Sequence, residues 1–252
     1  MQRMRVHLVQ FAAAWICLGM GVAWGQSNVT ARDWVTLAQR GLYAPAQQTL
    51  ARIPDDERRL LALRAYLRAG NTLPERWSWS AEQIAVYPNS AEGRRATAEL
   101  QAVAGAFAHD NPGYELRINL QPRSLERQLQ HWNTNASVAT TAHALAASLA
   151  QQWAGRTPDA AALRQALIQW TPPQAAALAA PGLSPHGQAR AFDFEVVQDG
   201  HVIAADDYAS AHQRWDRAGW TMRLHAAVAQ VGPDLSGPLA IPYEPWHYAY
   251  RR

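Results

Sequence analysis

Residues 191–204, AFDFEVVQDGHVIA, form the segment that decides the fold class. Ala191–Gln198 is rich in aromatic and β-branched residues, which favours a strand, and His201–Ala204 is a second short run of this kind. The Asp199-Gly200 pair between them is typical of a tight hairpin turn. The segment therefore predicts two antiparallel strands joined by a two-residue loop.

Helical segments lie on both sides of this hairpin. Apolar periodicity bounded by capping residues, glycines and prolines predicts helices at 31–40, 44–52, 57–69, 80–86, 91–107, 124–132, 137–153, 159–170, 208–218 and 222–231, with a strand at 114–120 and an extended segment at 238–250. Strands and helices do not alternate regularly. We therefore expect an α+β fold, in which a helical N-terminal module precedes a domain with a small, mostly antiparallel sheet.

A cluster of turn-forming residues at 109–113 marks the predicted domain boundary. Residues 26–109 form a helical-hairpin module in this division, and residues 110–252 form the second domain. The hairpins are loosely similar to tetratricopeptide repeats, but the sequence shows no regular repeat length. We interpret the module as a packing or docking unit, which leaves a protein partner at the N-terminal helices as an open alternative.

The first 25 residues predict an export signal. Met1–Arg5 is basic, and residues 6–23 are mostly apolar. Ala23-Trp24-Gly25 then supplies small residues at the two positions that a signal peptidase recognises. A transmembrane anchor is the alternative, but the apolar stretch is short and glycines interrupt it. We expect an exported, periplasmic protein without a stable membrane span after cleavage.

The composition excludes several classes of protein. Of the 252 residues, 48% are hydrophobic and 17% are charged, which argues against disorder. The formal net charge is +3, but Arg3 and Arg5 lie in the predicted signal, and the remaining +1 is too small for a nucleic-acid surface. The single cysteine, Cys17, lies in the same signal. Any metal site in the mature chain must therefore use His, Asp and Glu.

Two histidines and one acidic residue are candidate metal ligands. His186 lies in a loop just before the strand Ala191–Gln198, Asp193 lies inside that strand between two phenylalanines, and His247 follows near residue 252 among aromatic residues. An acid in such surroundings is costly to bury unless it is paired or bound to a metal. Two imidazoles and one carboxylate are a common ligand set for catalytic zinc. In the alternative interpretation, Asp193 is a buried acid paired with an arginine, and His247 is a core histidine that forms a hydrogen bond with the backbone.

Two motifs around these residues resemble a known family. Ser184-x-His186-x-x-Ala189-x-Ala191-x-Asp193 is similar to the first signature, S-x-H-x-x-G-x-A-x-D, of the D-alanyl-D-alanine carboxypeptidase (VanY-type) zinc peptidases. Glu244-Pro245-Trp246-His247 resembles their second signature, E-x-W-H, and Arg123-Ser124 keeps the end of a third motif. The resemblance covers about residues 110–252 and does not extend to the N-terminal helices.

The resemblance implies roles for individual residues. His186, Asp193 and His247 would bind zinc, Glu244 would be the catalytic base, and Arg123 would contact substrate. Ser184 either binds substrate or caps its loop. Ala189 replaces the family glycine, and we expect strain of about 1 kcal/mol if this position needs a positive φ.

Export and the resemblance together imply an enzyme that acts on the bacterial cell wall. We expect a zinc metallopeptidase that hydrolyses peptidoglycan stem peptides, most simply as a D-alanyl-D-alanine carboxypeptidase. The alternatives are a peptidoglycan endopeptidase of the same family and a non-catalytic protein that binds or docks at the cell wall.

Overall fold

The computed structural model describes residues 29–154 and 156–251, and the predicted export signal at 1–25 lies outside this part of the chain. The described residues form helices and a small antiparallel β-sheet, which confirms the α+β fold class. The helices are α1 (Ala31–Ala38), α2 (Ala44–Ala51), α3 (Asp56–Ala69), α4 (Leu73–Arg76), α5 (Ala81–Val86), α6 (Ala91–Asp110), α7 (Leu125–Thr134), α8 (Ala136–Gln152), α9 (Ala160–Gln169) and α10 (Trp220–Val231). The strands are β1 (Tyr114–Ile118), β2 (Ala191–Gln198), β3 (His201–Ala204), β4 (Leu235–Ser236) and β5 (His247–Tyr250).

Most helices follow an N-cap residue whose side chain accepts a hydrogen bond from a backbone N–H of the first turn. This N–H has no partner within the helix itself. Thr30 and Ser80 also form capping boxes, with Asp33 and Gln83 respectively. Five further helices begin at Asp55, Ser90, Ser124, Asn135 and Asp159. The predicted starts of these seven capped helices agree with the structure within one residue, whereas the short helix α4 was not predicted.

The segment predicted as a helix at 208–218 is different. It forms a 3₁₀ turn, Tyr208–Ser210, followed by the π-helix Ala211–Asp216. The buried Trp215 lies on this wider helix, and its indole N–H donates to the carbonyl of Ala205 at 2.8 Å. Sequence periodicity does not separate a π-helix from an α-helix over so short a segment.

β2 is the central element of the sheet. It pairs antiparallel with β1 along Phe194–Gln198, with β3 near Val196–Gln198 and with β5 along Ala191–Asp193. β4 pairs with the other edge of β5, so the order is β1-β2-β5-β4 with β3 also on β2. The predicted hairpin turn is present, since Asp199 and Gly200 both have positive φ, 49° and 78°. The last strand therefore lies beside the strand that carries Asp193.

Two hydrophobic cores form among residues 29–154 and 156–251. The first packs α1–α3 against α7–α9, and the second packs α6 and α10 against the sheet. The predicted boundary between residues 109 and 110 does not divide these cores, because α6 belongs to the second core and α7–α9 belong to the first. No helix within the described ranges combines the length and apolar character that crossing a bilayer requires.

Candidate metal centre

Strand register brings two of the predicted ligands together. Asp193 on β2 is directly opposite His247 on β5, and Asp193 Oδ1 lies 3.0 Å from His247 Nδ1. Side chains alternate along β2, so Phe192 and Phe194 enter the second core while Asp193 emerges on the other face of the sheet. This alternation explains how an acid flanked by two phenylalanines remains close to a polar partner.

His186 completes the group from outside the sheet. It lies on the 3₁₀ turn Pro185–Gln188, which immediately precedes β2. Its Nε2 lies 3.2 Å from His247 Nδ1 and 3.4 Å from Asp193 Oδ2.

These donor atoms lie close enough together to hold one cation. Ligands at the usual zinc distance of about 2.0–2.1 Å are separated from one another by roughly 3.4 Å in a tetrahedron. The nearest contacts in this group are 3.0, 3.2 and 3.4 Å, the first made by Asp193 Oδ1 and the last by Asp193 Oδ2. His186, Asp193 and His247, named here the His-Asp-His triad, form a group that could hold a metal ion.

The electrostatic state of the triad also suits a cation. Burial lowers the pKa of His186 to about 3, so that its imidazole is neutral and its lone pair is available to a metal. Burial acts to raise the pKa of Asp193, but the hydrogen bond from His247 and the charges of His186, His247 and Arg123 outweigh it and lower that pKa. The triad therefore offers the neutral nitrogen of His186 and the ionised carboxylate of Asp193.

Glu244 lies beside the triad on a constrained loop. Its backbone N–H donates to the carbonyl of Leu239 at 2.9 Å, and its own carbonyl accepts from the N–H of His247 at 3.1 Å. Its carboxylate Oε2 lies 3.5 Å from His247 Nδ1. Burial, reinforced by the charge of Asp193, raises the pKa of Glu244 to about 7. A carboxylate with this pKa both accepts and releases a proton near neutral pH.

The structure also places the two predicted substrate residues near the triad. Arg123 Nη2 donates to Asp193 Oδ2 at 3.1 Å, and the backbone N–H of Arg123 donates to the carbonyl of His186 at 2.9 Å. Ser184 is buried, and its side chain does not cap the 3₁₀ turn that follows it. Both residues line a cavity that reaches the triad. The ion pair gives Arg123 a second partner that the sequence motif does not indicate.

A buried polar network that the sequence did not indicate holds the His186 turn. The Gln128 amide on α7 donates to Ser78 Oγ at 2.9 Å and to the carbonyl of Arg123 at 2.8 Å, and it accepts from the N–H of Gly182 at 2.9 Å. The backbone N–H of Trp79 donates to the carbonyl of Gly187 at 2.9 Å. The segment between α4 and α5 therefore contacts the turn that carries His186. A buried glutamine on an amphipathic helix was the only available signal, and it is a weak one.

Two small residues in this turn have different reasons for being small. Ala189 has φ 51° and ψ 35°, so the position that is glycine in the family signature does adopt the left-handed conformation. Its methyl group is fully buried in the second core, and burying one methyl group stabilises by about 0.8 kcal/mol, which offsets the strain. Gly187 is small for a steric reason. A Cβ there would meet Ser78 Oγ at 2.0 Å.

A cleft with two arms passes the triad. One cavity of about 440 Å³ and another of about 900 Å³ share five lining residues, namely Arg123, His131, His186, Asp193 and Asp206. The smaller polar arm continues along the start of α7, and the larger apolar arm runs between the loops at 175–179 and 236–242. The triad therefore lies where the two arms meet.

Comparison of the chain with models of known families, with curated protein sequences and with solved structures found no match. The family resemblance of the two motifs stays a prediction. What the geometry establishes is a half-buried His186, Asp193 and His247 group in a cleft, with its donor atoms within 4.8 Å of one another.

Proposed function

We propose that this chain is a zinc-dependent peptidase that hydrolyses peptidoglycan stem peptides, as a D-alanyl-D-alanine carboxypeptidase. One observation carries the proposal: the His-Asp-His triad offers one ligand atom from each residue within 4.8 Å of one another, and the Glu244 carboxylate lies 3.5 Å from His247 Nδ1 in the same cleft. His186, Asp193 and His247 are the residues that would hold the ion. The export signal predicted at residues 1–25 supports a substrate outside the cytoplasm.

Zinc held by His186, Asp193 and His247 would supply Lewis-acid chemistry, polarising the scissile carbonyl and lowering the pKa of a water molecule towards neutral pH. Glu244 accepts a proton from the attacking water as the water oxygen bonds to the carbonyl carbon. The C–N bond then breaks, and Glu244 transfers the proton to the departing nitrogen. The raised pKa of Glu244 suits both transfers, because neither protonation state is strongly preferred at neutral pH.

Arg123 takes the role of recognising a terminal carboxylate. Its side chain is about a quarter exposed and reaches both arms of the cleft. Only one of its guanidinium nitrogens contacts Asp193, so other N–H groups remain for a substrate carboxylate. An arginine can bind such a group with two charge-assisted hydrogen bonds.

An endopeptidase that cuts within stems or cross-links is the second candidate, because the cleft continues on both sides of the triad. Mass spectrometry of muropeptides incubated with the zinc-loaded protein tests both candidates. A carboxypeptidase removes one terminal alanine, whereas an endopeptidase splits stems or cross-linked dimers internally. Unchanged masses with protein that holds zinc would refute both activities.

A further inference from the structure

The polar arm of the cleft has one wall made by a single face of α7. Arg123, Arg127, His131 and Asn135 follow one another at intervals of four residues, from the residue before the N-cap to the residue after the helix. Residues four apart lie on the same side of a helix. Arg123, Arg127 and His131 all line the polar arm, and His131 and Asn135 also line the apolar arm.

Positive charge on this face is concentrated at Arg127. Arg127 is exposed and takes part in none of the ion pairs found among the described residues, while its neighbour Glu126 is paired with Arg52 at 3.3 Å. Burial lowers the pKa of His131, and the charges of Arg123 and Arg127 lower it further, as expected for groups that share one wall. A guanidinium without an acidic partner beside a candidate active site is well suited to bind an anion.

The acids that line the polar arm differ in whether they have a cationic partner. Glu195 is paired with Arg117 at 2.5 Å, which offsets its charge. Asp206 lines both arms, is exposed, and forms none of the ion pairs found in the described part of the chain. Because a carboxylate is repelled by Asp206 and attracted by α7, an acidic ligand has one favoured wall in this arm.

We propose that Arg127, supported by His131, is a specificity-determining residue that binds a carboxylate of the peptide substrate in the polar arm. This inference rests on the proposed function, and it adds a substrate class: peptides with an acidic group close to the scissile bond. Arg127 is distinct from Arg123, whose Nη2 contacts Asp193. The apolar arm, lined by Ala175–Ala179 and the 236–242 loop, takes the small apolar residues on the other side of that bond.

Peptide binding to the zinc-loaded Glu244→Gln protein tests this inference without hydrolysis. The probes are N-acetylated alanine pentapeptides that end in D-Ala-D-Ala with a free carboxylate and carry aspartate at the second or third position, and the same peptides with asparagine. A further pair compares pentaalanine with a free C-terminus and its amide, which separates a terminal carboxylate from a side-chain carboxylate. We expect one aspartate peptide to bind about tenfold more tightly than its asparagine partner, as for a charge-assisted hydrogen bond to arginine.

Two variants in the Glu244→Gln background and a control identify the residue responsible. Arg127→Gln should reduce the preference for aspartate to less than about twofold, and Asp206→Asn should increase it by a few fold because a repelling charge is removed. Arg40→Gln, an exposed arginine that lines neither arm, should leave it unchanged. Retention of the full preference by Arg127→Gln would overturn the inference, as would equal binding of aspartate and asparagine peptides.

The same experiment separates the inference from the proposed function. A preference that depends on Arg127 in a protein whose wild type hydrolyses no peptide would support the binding site and refute the peptidase. Hydrolysis by the wild type with no dependence on Arg127 would leave the peptidase standing and overturn the inference. Absence of binding by every peptide would overturn both.

Discussion

Asp193 and His247 are paired in register across two antiparallel strands, and their side chains meet at 3.0 Å on the face of the sheet that looks into the cleft. The pairing fixes two candidate ligands through backbone hydrogen bonds rather than through flexible loops. His186 then needs only the short turn before β2 to reach them. A site built in this way is preorganised for its cation, because few side-chain rotations are lost on binding.

Removal of one ligand should empty the site. We expect purified wild type to hold one zinc per chain and His247→Ala to lose most of it, because two ligands form an incomplete shell. His225→Ala, which changes an exposed histidine on α10, should retain full zinc content. Metal analysis after dialysis without chelator makes the comparison. Full activity in wild-type protein that contains no metal would contradict the assignment.

Glu244→Gln should retain zinc and fold but lower the hydrolytic rate by about 10²–10⁴, the range for a positioned acid–base group. The substitution keeps the shape of the side chain and removes its capacity to accept a proton. The measurement is kcat on a D-Ala-D-Ala peptide together with the zinc content of the same sample. Hydrolysis at the wild-type rate would exclude Glu244 as the base.

The same substitution should stabilise the metal-free protein in a pH-dependent manner. The pKa of Glu244 is raised to about 7 in the folded chain, so the folded state binds more protons than the unfolded state between its ordinary pKa of 4.5 and 7. Stability conferred by this group is therefore present at low pH and lost as pH rises through that window. Glutamine does not ionise and avoids the loss.

In urea unfolding with chelator present, Glu244→Gln should exceed wild type by roughly 1–3 kcal/mol at pH 8 and differ little at pH 4.5. His186 titrates in both proteins, so its contribution cancels in the comparison. An equal difference at the two pH values would show that Glu244 is not held in a desolvated position.

Arg123 distinguishes a carboxypeptidase from an endopeptidase. If it binds a terminal carboxylate, Arg123→Ala should cost roughly 2–4 kcal/mol in kcat/KM, and amidated peptides should already be poor substrates for wild type. Zinc content is measured first, because Arg123 also contacts Asp193. Equal rates for a D-Ala-D-Ala peptide and its amide, with both proteins, would favour the endopeptidase.

Gly187 tests whether the Ser78–Gln128 network positions His186. In Gly187→Ala the new methyl group would lie 2.0 Å from Ser78 Oγ and 2.8 Å from Gln128 Nε2, so the turn must move. We expect a loss of about 1–3 kcal/mol in stability and a weaker affinity for zinc. Gly105→Ala on α6 has nothing within 4 Å and should stabilise by about 0.5–1 kcal/mol with unchanged zinc affinity. Equal zinc affinity in the two variants would show that the network does not set the ligand geometry.

Local chemistry made much of the fold predictable from the sequence. The β2–β3 hairpin follows from the Asp199-Gly200 turn and strand-forming neighbours, and the helix starts follow from capping side chains. The composition of the two cores was not predictable in this way. Whether α3 packs on α6 or on α8 depends on contacts between residues far apart in the chain, and periodicity identifies an apolar face without naming its partner.

The candidate site shows the same division. His186, Asp193, His247 and Glu244 could be selected because their motif spacing is local, and the structure brings all four together. The Arg123–Asp193 ion pair joins residues 70 positions apart, and the Gln128–Ser78 hydrogen bond joins residues 50 apart. The sequence offered an arginine as an alternative partner for Asp193 without identifying it, and neither contact has a short-range sequence pattern, so Arg123 and Ser78 are identified as partners only in the folded chain.

The chain contributes alternating segments to the two cores, and this arrangement has a consequence for how the protein unfolds. The chain passes from the first core to the second, returns through α7–α9, and enters the second again at β2. A single cut in any connection leaves fragments that each lack part of at least one core. Heat should therefore melt the helices and the cleft in one cooperative transition, and either fragment should recover structure only when its complement is present.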